Sequence, residues 1–436
     1  MIFTARFLYL LALGLVPVVL GGLVPELLPL ALGYDAALLL LAGYDYGFTI
    51  PRAGVQADRT CGRILSLGAR ENVTVQIRNQ SARPLRLRVK DSPPPAFQQS
   101  GREARAQLPR AGLAQYTYSI RPTMRGQFAF GDIFLRIDGA LGLARRQIRL
   151  NTPLTVRVYP NVKQLSRVEL ALAHASMLQQ GLKPSRLLGE GTEFESLREY
   201  VPDDDYRWID WKATAKSNRL VSRQYEAERN QRLLIAIDAG RLMGARVGDF
   251  SKLDYATNAA VLLAQAALNK GDLVGVLLFA NRILAYLPPD KGREHLGRIV
   301  EVLHPVQSVR LESDYALAFA HLARKNSRRS LVVSFTDLVD AEASRSLIAS
   351  MRHLVPRHLP LCVTISDSDL IAAQRVVPAG SAQAFELVAA MELWEDYRSA
   401  LRVLERQGAL TVNVPANQLT TATINRYVDI KRRGLL

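Results

Sequence analysis

Three aspartates stand where an open α/β sheet places its chemistry. Asp238 follows directly on Leu233-Leu234-Ile235-Ala236-Ile237, Asp337 closes the run that begins at Leu331, and Asp367 follows Leu359 to Ile365. Ligands of such sheets bind beyond the carboxyl ends of the strands. Carboxylates there can ligate a hard cation, share an acid–base step or hold loop backbone. Asp238 with Asp337 would suit a metal-dependent hydrolase, the alternative reading. Nothing else in the chain selects an acid–base pair: HExxH, GxSxG, GxGxxG and a Walker lysine are all missing, and the six histidines follow no ligand spacing. A non-enzymatic binding protein is therefore the expectation.

A second concentration of charge, glycine and aromatics runs from Gly189 to Lys216, through Glu193, Arg198, Arg207, Asp210 and Trp211. No Lys-Ser or Lys-Thr follows its glycines, so it is no phosphate loop, and Asp203-Asp204-Asp205 lacks the spacing of a calcium loop. Trp208 and Trp211, three apart, would share a helix face and pack on a neighbouring domain. The bland reading is a rigid connector locked by Arg198, Arg207 and carboxylates; the functional one is a partner surface.

Residues 231–436 alternate buried strands with amphipathic helices over short connections, a doubly wound and mostly parallel sheet. Residues 59–161 alternate in twos, as in Leu85-Arg86-Leu87-Arg88-Val89 and Phe134-Leu135-Arg136-Ile137, with turn residues between, an immunoglobulin- or fibronectin-like β-sandwich. Residues 162–230 form the connector. Residues 1–50 are apolar enough for a transmembrane helical hairpin: residues 7–23 approach crossing length, and residues 27–44, carrying Asp35 and Pro29, form the weaker pass. Between Arg52 and Pro160 there are 19 Lys and Arg against 6 Asp and Glu, a net of +13 out of +16 for the chain. Basic excess beside apolar segments marks a cytoplasmic flank and attracts membrane lipid, and no nucleic-acid reading motif accompanies it. Cys61 and Cys362 lie far apart and read as free thiols in a reducing compartment.

The run Gly189 to Lys216, with Ser222-Arg223-Gln224-Tyr225-Glu226, Asp238-Ala239-Gly240-Arg241-Leu242-Met243, Lys270-Gly271-Asp272 and Phe335-Thr336-Asp337-Leu338, resembles the bacterial "domain of unknown function" family fifty-eight. Asp203 departs from that family's usual glycine in a Gly-Asp-Asp turn. The resemblance implies two membrane helices, a β-sandwich and a von Willebrand factor A-like domain working with a MoxR-type AAA+ ATPase. It also implies a comparison with the metal-ion-dependent adhesion site, whose pattern is DxSxS, a loop hydroxyl and a later aspartate. Asp238 and Asp337 match, Gly240 and Leu242 replace both serines, and Ser313 or Asp314 holds the loop position. The site is thus degenerate, with Asp238, Asp314 and Asp337 as the remaining ligands: no cofactor, or at most Mg²⁺.

Together these readings give a multidomain protein of the bacterial inner membrane with its soluble domains in the cytoplasm. It would bind partners through Asp238, Gly240, Arg241, Asp314 and Asp337 at the sheet rim and through Glu193, Arg198, Arg207, Asp210 and Trp211. The expected partners are a MoxR-type ATPase, other membrane or envelope proteins and membrane lipid, with no nucleic acid.

Overall fold

The computed structural model describes residues 2–20, 27–49, 54–160, 193–201, 206–217, 219–226, 231–338, 344–367, 378 and 380–436. An apolar N-terminal helix, a large β-rich region and an α/β sheet fall into two compact units, Met1–Tyr159 and Pro160–Leu436.

The first unit begins with two helices, Ala5–Leu20 and Leu27–Tyr44. They run antiparallel, since Tyr34 Oη donates to the Leu10 carbonyl at 2.9 Å while Phe7 packs with Leu38 and Ala42. Only Leu27–Gly47, 21 residues, is long and apolar enough to cross a membrane among the described residues; Ala5–Leu20 is shorter and contains Pro17. Of the pass expected over residues 7–23, residues 21–23 lie outside the described residues. Pro29 lies in the first turn of its helix, where the missing N–H has no intrahelical partner to lose.

Both ends of the helical pair are fastened to one sheet edge. Ile2–Phe3 pairs with Ala144–Arg145. Asp45, fully buried, accepts hydrogen bonds from the Leu141, Leu143 and Ala144 amides at 2.9, 2.9 and 3.0 Å. Gly139 makes this possible, because a Cβ there would overlap the Asp45 carboxylate.

Beyond the helices the unit has two antiparallel sheets, of five strands (Ile2–Phe3, Ala144–Leu150, Ile133–Asp138, Leu85–Lys90, Glu103–Leu108) and four (Val55–Thr60, Glu71–Asn79, Leu113–Pro122, Phe97–Ser100), with a smaller mixed sheet of three. The period-two pattern buries Leu85, Leu87 and Val89 and exposes Arg86, Arg88 and Lys90. A buried ion pair lies at one end: Arg59 donates to Asp91 through Nε (3.0 Å) and Nη2, and also to the Thr152 and Gly131 carbonyls, while Tyr118 Oη donates to Asp91 at 2.7 Å. Every lone pair of the carboxylate that faces inward has a donor, which is what permits two charges to remain buried.

The second unit opens with a hairpin, Glu193–Glu199 against Val221–Glu226, carrying the short helix Trp211–Ser217 between its arms. A six-stranded sheet follows, in the order Ile283–Asp290, Leu273–Phe279, Arg232–Asp238, Leu331–Phe335, Leu359–Ile365, Leu410–Val414. All neighbours are parallel except the first pair. Alternate residues of the central strand face opposite cores. Leu233, Ile235 and Ile237 pack under helices Lys252–Asn269, Arg293–Leu303 and Leu419–Arg432, and Leu234 and Ala236 under Tyr315–Lys325, Arg345–Leu354 and Ser381–Arg406. Burial on both faces explains why these strands read as continuous apolar runs. Ile283–Asp290 is absent from the sequence reading; Pro288 and Pro289 hide it, and a sheet edge tolerates both.

Candidate functional site

Successive strands step outward from Arg232–Asp238 through Leu273–Phe279 to Ile283–Asp290, and the chain then crosses to Leu331–Phe335 on the other side. The order of winding therefore reverses between Arg232–Asp238 and Leu331–Phe335. Such a switch point leaves a crevice outside the carboxyl ends of the two strands. Asp238 ends the first strand, and Thr336 and Asp337 follow the second.

Asp238 is 1% exposed and fully satisfied from within. Its Oδ1 accepts from the Gly240 amide at 2.7 Å and from Ser313 Oγ; its Oδ2 accepts from Tyr315 Oη at 2.8 Å and Thr336 Oγ1 at 2.7 Å. Burial, with the Asp238 carboxylate alongside, pushes the Tyr315 phenol far up, so it remains a donor at all working pH. Glycine at position 240 has a steric cause. A Cβ there would overlap Ser313 Oγ and meet Asp238 Oδ1 at 3.0 Å, so the hydroxyl has moved from the 240 loop to the 311–313 loop.

Asp337 is 7% exposed and meets a cation supplied by the chain itself. Lys252 Nζ donates to Asp337 Oδ2 at 2.6 Å, and both side chains are more than nine-tenths buried. Lys252 is the first residue of its helix, held in place by a capping box in which Ser251 Oγ accepts from the Asp254 amide and Asp254 returns a bond to the Ser251 amide. An ammonium at a helix N-terminus opposes the helix dipole, so the nearby carboxylate offsets both that repulsion and its own burial. Burial raises the Asp337 carboxyl above the usual carboxylate range, with Lys252 pulling the other way. Asp337 Oδ1 is buried without a hydrogen-bond partner.

Magnesium requires about six oxygens in near-octahedral array. Here the Asp238 oxygens are occupied by four N–H and O–H donors, and one Asp337 oxygen is held by an ammonium. Among the described residues no three His, Cys, Asp or Glu gather around one point. The donor set does not fit a divalent cation, and the hydrolase alternative finds no catalytic pair here.

Several expectations are corrected at this rim. Asp314 is exposed and caps the helix Tyr315–Lys325, accepting from the Leu317 amide at 2.9 Å, so it is not a ligand beside Asp238; Ser313 is the residue that faces Asp238. The Arg241 guanidinium is exposed and lies 3.6 Å from Glu312. Asp238 and Asp337, being buried, cannot be touched by a partner. What remains reachable is Arg241, Leu311, Glu312 and Asp314.

The other candidates lie on the hairpin. Asp210 caps the helix Trp211–Ser217, accepting from the Lys212 and Ala213 amides at 2.9 and 3.0 Å. Arg198 is half-buried on the Glu193–Glu199 strand, with Nη1 3.4 Å from the Glu199 carbonyl. Glu193 sits on the same strand and Arg207 in the turn Tyr206–Trp208, their side chains outside the described set; Gly189 to Gly191 and Asp203 to Asp205 lie outside the described residues altogether. Trp208 and Trp211 do not share one helix, since the chain leaves the Tyr206–Trp208 turn before Trp211 starts the next helix. Trp211 is 68% and Tyr206 73% exposed, with Leu197, Val201 and Leu220 exposed on the same hairpin segment. Lys252 is the residue that sequence reasoning missed: the capping box at Ser251 and Asp254 was legible, but the reach of Lys252 to Asp337, 85 positions away, was not.

Residues 196–376 match the family described as "Protein of unknown function DUF58". The chain is 23% identical over 265 residues to the uncharacterized protein Rv1480 of Mycobacterium tuberculosis, covering 57% of this chain and 82% of that one. It is 25% identical over 196 residues to the uncharacterized protein YeaD of Bacillus subtilis, covering 43% and 48%. Among solved structures, the conserved hypothetical protein BatB from Bacteroides thetaiotaomicron aligns with 46% of this chain and 98% of its own, at 14% identity and a TM-score of 0.30. Residues 196–376, which hold most of the hairpin, the Asp238 cage and the Lys252–Asp337 pair, are the part of this chain that matches the DUF58 family model.

Proposed function

We propose that the protein is a membrane-anchored, non-enzymatic adaptor that binds a protein partner through the exposed hairpin and the exposed part of the sheet rim. The observation that carries this reading is Trp211, 68% exposed beside Tyr206 at 73% on a hairpin stiffened by its own backbone pairing. Large aromatics left in water on a rigid support are the residues that most often dominate protein interfaces. Arg241, Glu312 and Asp314 add a charged margin. The internal Lys252 cation supports recognition over hydrolysis, because the crevice carboxylates are committed to loop architecture.

The winding order and the Asp238, Ser313 and Thr336 cage support a von Willebrand factor A-like assignment for the α/β sheet. On the family resemblance, the partner is a MoxR-type AAA+ ATPase, with other membrane or envelope proteins as clients. The Leu27–Gly47 helix, paired with Ala5–Leu20, supports anchoring in the bacterial inner membrane, and the basic block beyond it supports a cytoplasmic body.

Photo-crosslinking tests the surface. A benzoylphenylalanine placed at Tyr206 or Trp211 of the full chain should cross-link to a purified MoxR-type ATPase, and one at Tyr286, on the antiparallel edge strand of the sheet, should not. Equal cross-linking from all three positions, or none, would remove the hairpin as the docking surface.

A further inference from the structure

The five-stranded sheet of the first unit carries a feature that partner binding through the second unit does not use. Register places its outward residues in three rows. The row beside the Asp45 latch is Arg145, Asp138, Arg86 and Gln107; the next is Gln147, Arg136, Arg88 and Arg105; the third is Arg149, Phe134, Lys90 and Glu103. Three arginines thus stand directly opposite one another on neighbouring strands, all exposed. Like charges in directly opposed positions destabilise a sheet. Arg145 is paired with Asp138, Lys90 with Glu103 and Arg149 with Asp132. Among the described residues no carboxylate pairs with Arg86, Arg88, Arg105 or Arg136; Arg136 Nε donates to Gln147 at 3.0 Å. Between these rows lies a cleft of about 270 Å³ lined by Arg88, Lys90, Glu103, Phe134, Arg136 and Gln147.

The patch lies on the sheet whose edge holds the end of the Leu27–Tyr44 helix. The strand turn that ends the first row, residues 139–144, is the one whose amides hold Asp45, immediately after the Leu27–Tyr44 helix. Arg146, on the same strand, stacks over the Tyr46 ring at 4.3 Å. Arg86 stands in the row beside the latch, and rows are two residues apart along the strand, about 7 Å, so the row of three arginines lies roughly one Debye length from the helix end. The negative surface potential of an anionic leaflet acts over that distance.

We propose that this face is a lipid-docking site: Arg86, Arg88, Arg105 and Arg136 bind the phosphate groups of anionic phospholipids in the membrane entered by the Leu27–Tyr44 helix. Guanidinium forks suit phosphate oxygens, and the half-exposed Phe134 ring gives the cleft an apolar floor for the headgroup margin. The site rests on the anchored reading above for the nearness of lipid. It explains why the sheet keeps an arginine row that weakens it.

The test uses the full chain with Cys61→Ser and a fluorophore on Gln107→Cys, reconstituted into vesicles of phosphatidylcholine with or without phosphatidylglycerol. Quenching by a headgroup-labelled lipid reads contact of the face. Quenching should require phosphatidylglycerol, fade as salt rises, and be lost in R88Q/R105Q/R136Q, whose docked-to-free ratio falls on the order of 100-fold at about fivefold per arginine. The triple variant should melt no lower than the parent, since repulsion is relieved. Equal quenching without phosphatidylglycerol, quenching that survives in the triple variant, or release by millimolar inorganic phosphate at constant ionic strength would each overturn the proposal. Loss of the chain from phosphatidylcholine vesicles at high salt would instead refute anchoring. In that event, capture on phosphatidylglycerol vesicles by the parent but not the triple variant would still support the site, and equal capture would refute it.

Discussion

Replacing Lys252 with Met keeps the unbranched stem as far as Cε and deletes the charged amine. Asp337, 7% exposed, then faces a crevice in which one oxygen already lacks a hydrogen-bond partner. Removing one member of a buried pair costs about 3–5 kcal/mol, because the other is left charged and desolvated. For a unit of this size each kcal/mol moves the melting temperature by about 2–4 °C, so the variant should melt about 6–20 °C lower near neutral pH. The loss should depend on pH in a definite direction. The Asp337 carboxyl already stands above its ordinary value through burial, and loss of Lys252 raises it further. A carboxyl raised in the folded state favours the protonated form: its contribution is fully present below the unfolded value near 4 and is lost as pH rises through the folded value. The deficit of K252M against the parent should therefore shrink on acidification, by up to about 1.4 kcal/mol per pH unit. Calorimetry of the full chain in detergent, at several pH values, reads this directly, and K252M/D337L should recover most of the loss. An unchanged melting temperature for K252M, a deficit flat in pH, or no recovery in the double variant would refute the buried-pair account.

Three further outcomes follow from the same geometry. Asp91→Ala strands the buried Arg59 guanidinium and should destabilise the first unit by about 3–5 kcal/mol in calorimetry, whereas Glu103→Ala, whose partner Lys90 is exposed, should leave its melting nearly unchanged. Titration with Mg²⁺ should show affinity no tighter than millimolar, measured by calorimetry, since the Asp238 oxygens are taken and Asp337 is neutralised by Lys252. Burial pushes the thiols of Cys61 and Cys362 up to about 11 and about 12, so alkylation of the folded chain at pH 8, followed by mass spectrometry, should be far slower than in denaturant, slowest at the fully buried Cys362.

Much of the framework was legible because strands and helices that bury whole faces write their period into the chain. Arg293–Leu303 and Tyr315–Lys325 have the bounds that their apolar spacing predicts, and Leu233 to Ile237 reads as a strand covered on both sides. Strands that are mostly polar or lie at edges did not announce themselves. Glu103–Leu108 offers alanine where others offer valine, and Ile283–Asp290 ends in two prolines. The site was legible in its anchors, because Asp238 and Asp337 stand at strand ends, and illegible in its partners. Lys252 on a helix start reads as a solvated charge, and only the fold brings it to Asp337. The exposure of Trp211 was likewise hidden, since spacing of three suggested one helix where the chain breaks after Trp208.

The account stands or falls on the hairpin as an interaction surface. The most direct measurement is the affinity of the full chain, in detergent, for a MoxR-type ATPase, compared between the parent and Y206A/W211A by calorimetry or surface-based binding. Truncating exposed aromatic anchors costs about 2 kcal/mol or more of binding, so the double variant should bind at least about 30-fold more weakly. Its melting temperature should hold, because both side chains already lie in water. Parent-like affinity in a variant that melts normally would contradict the claim.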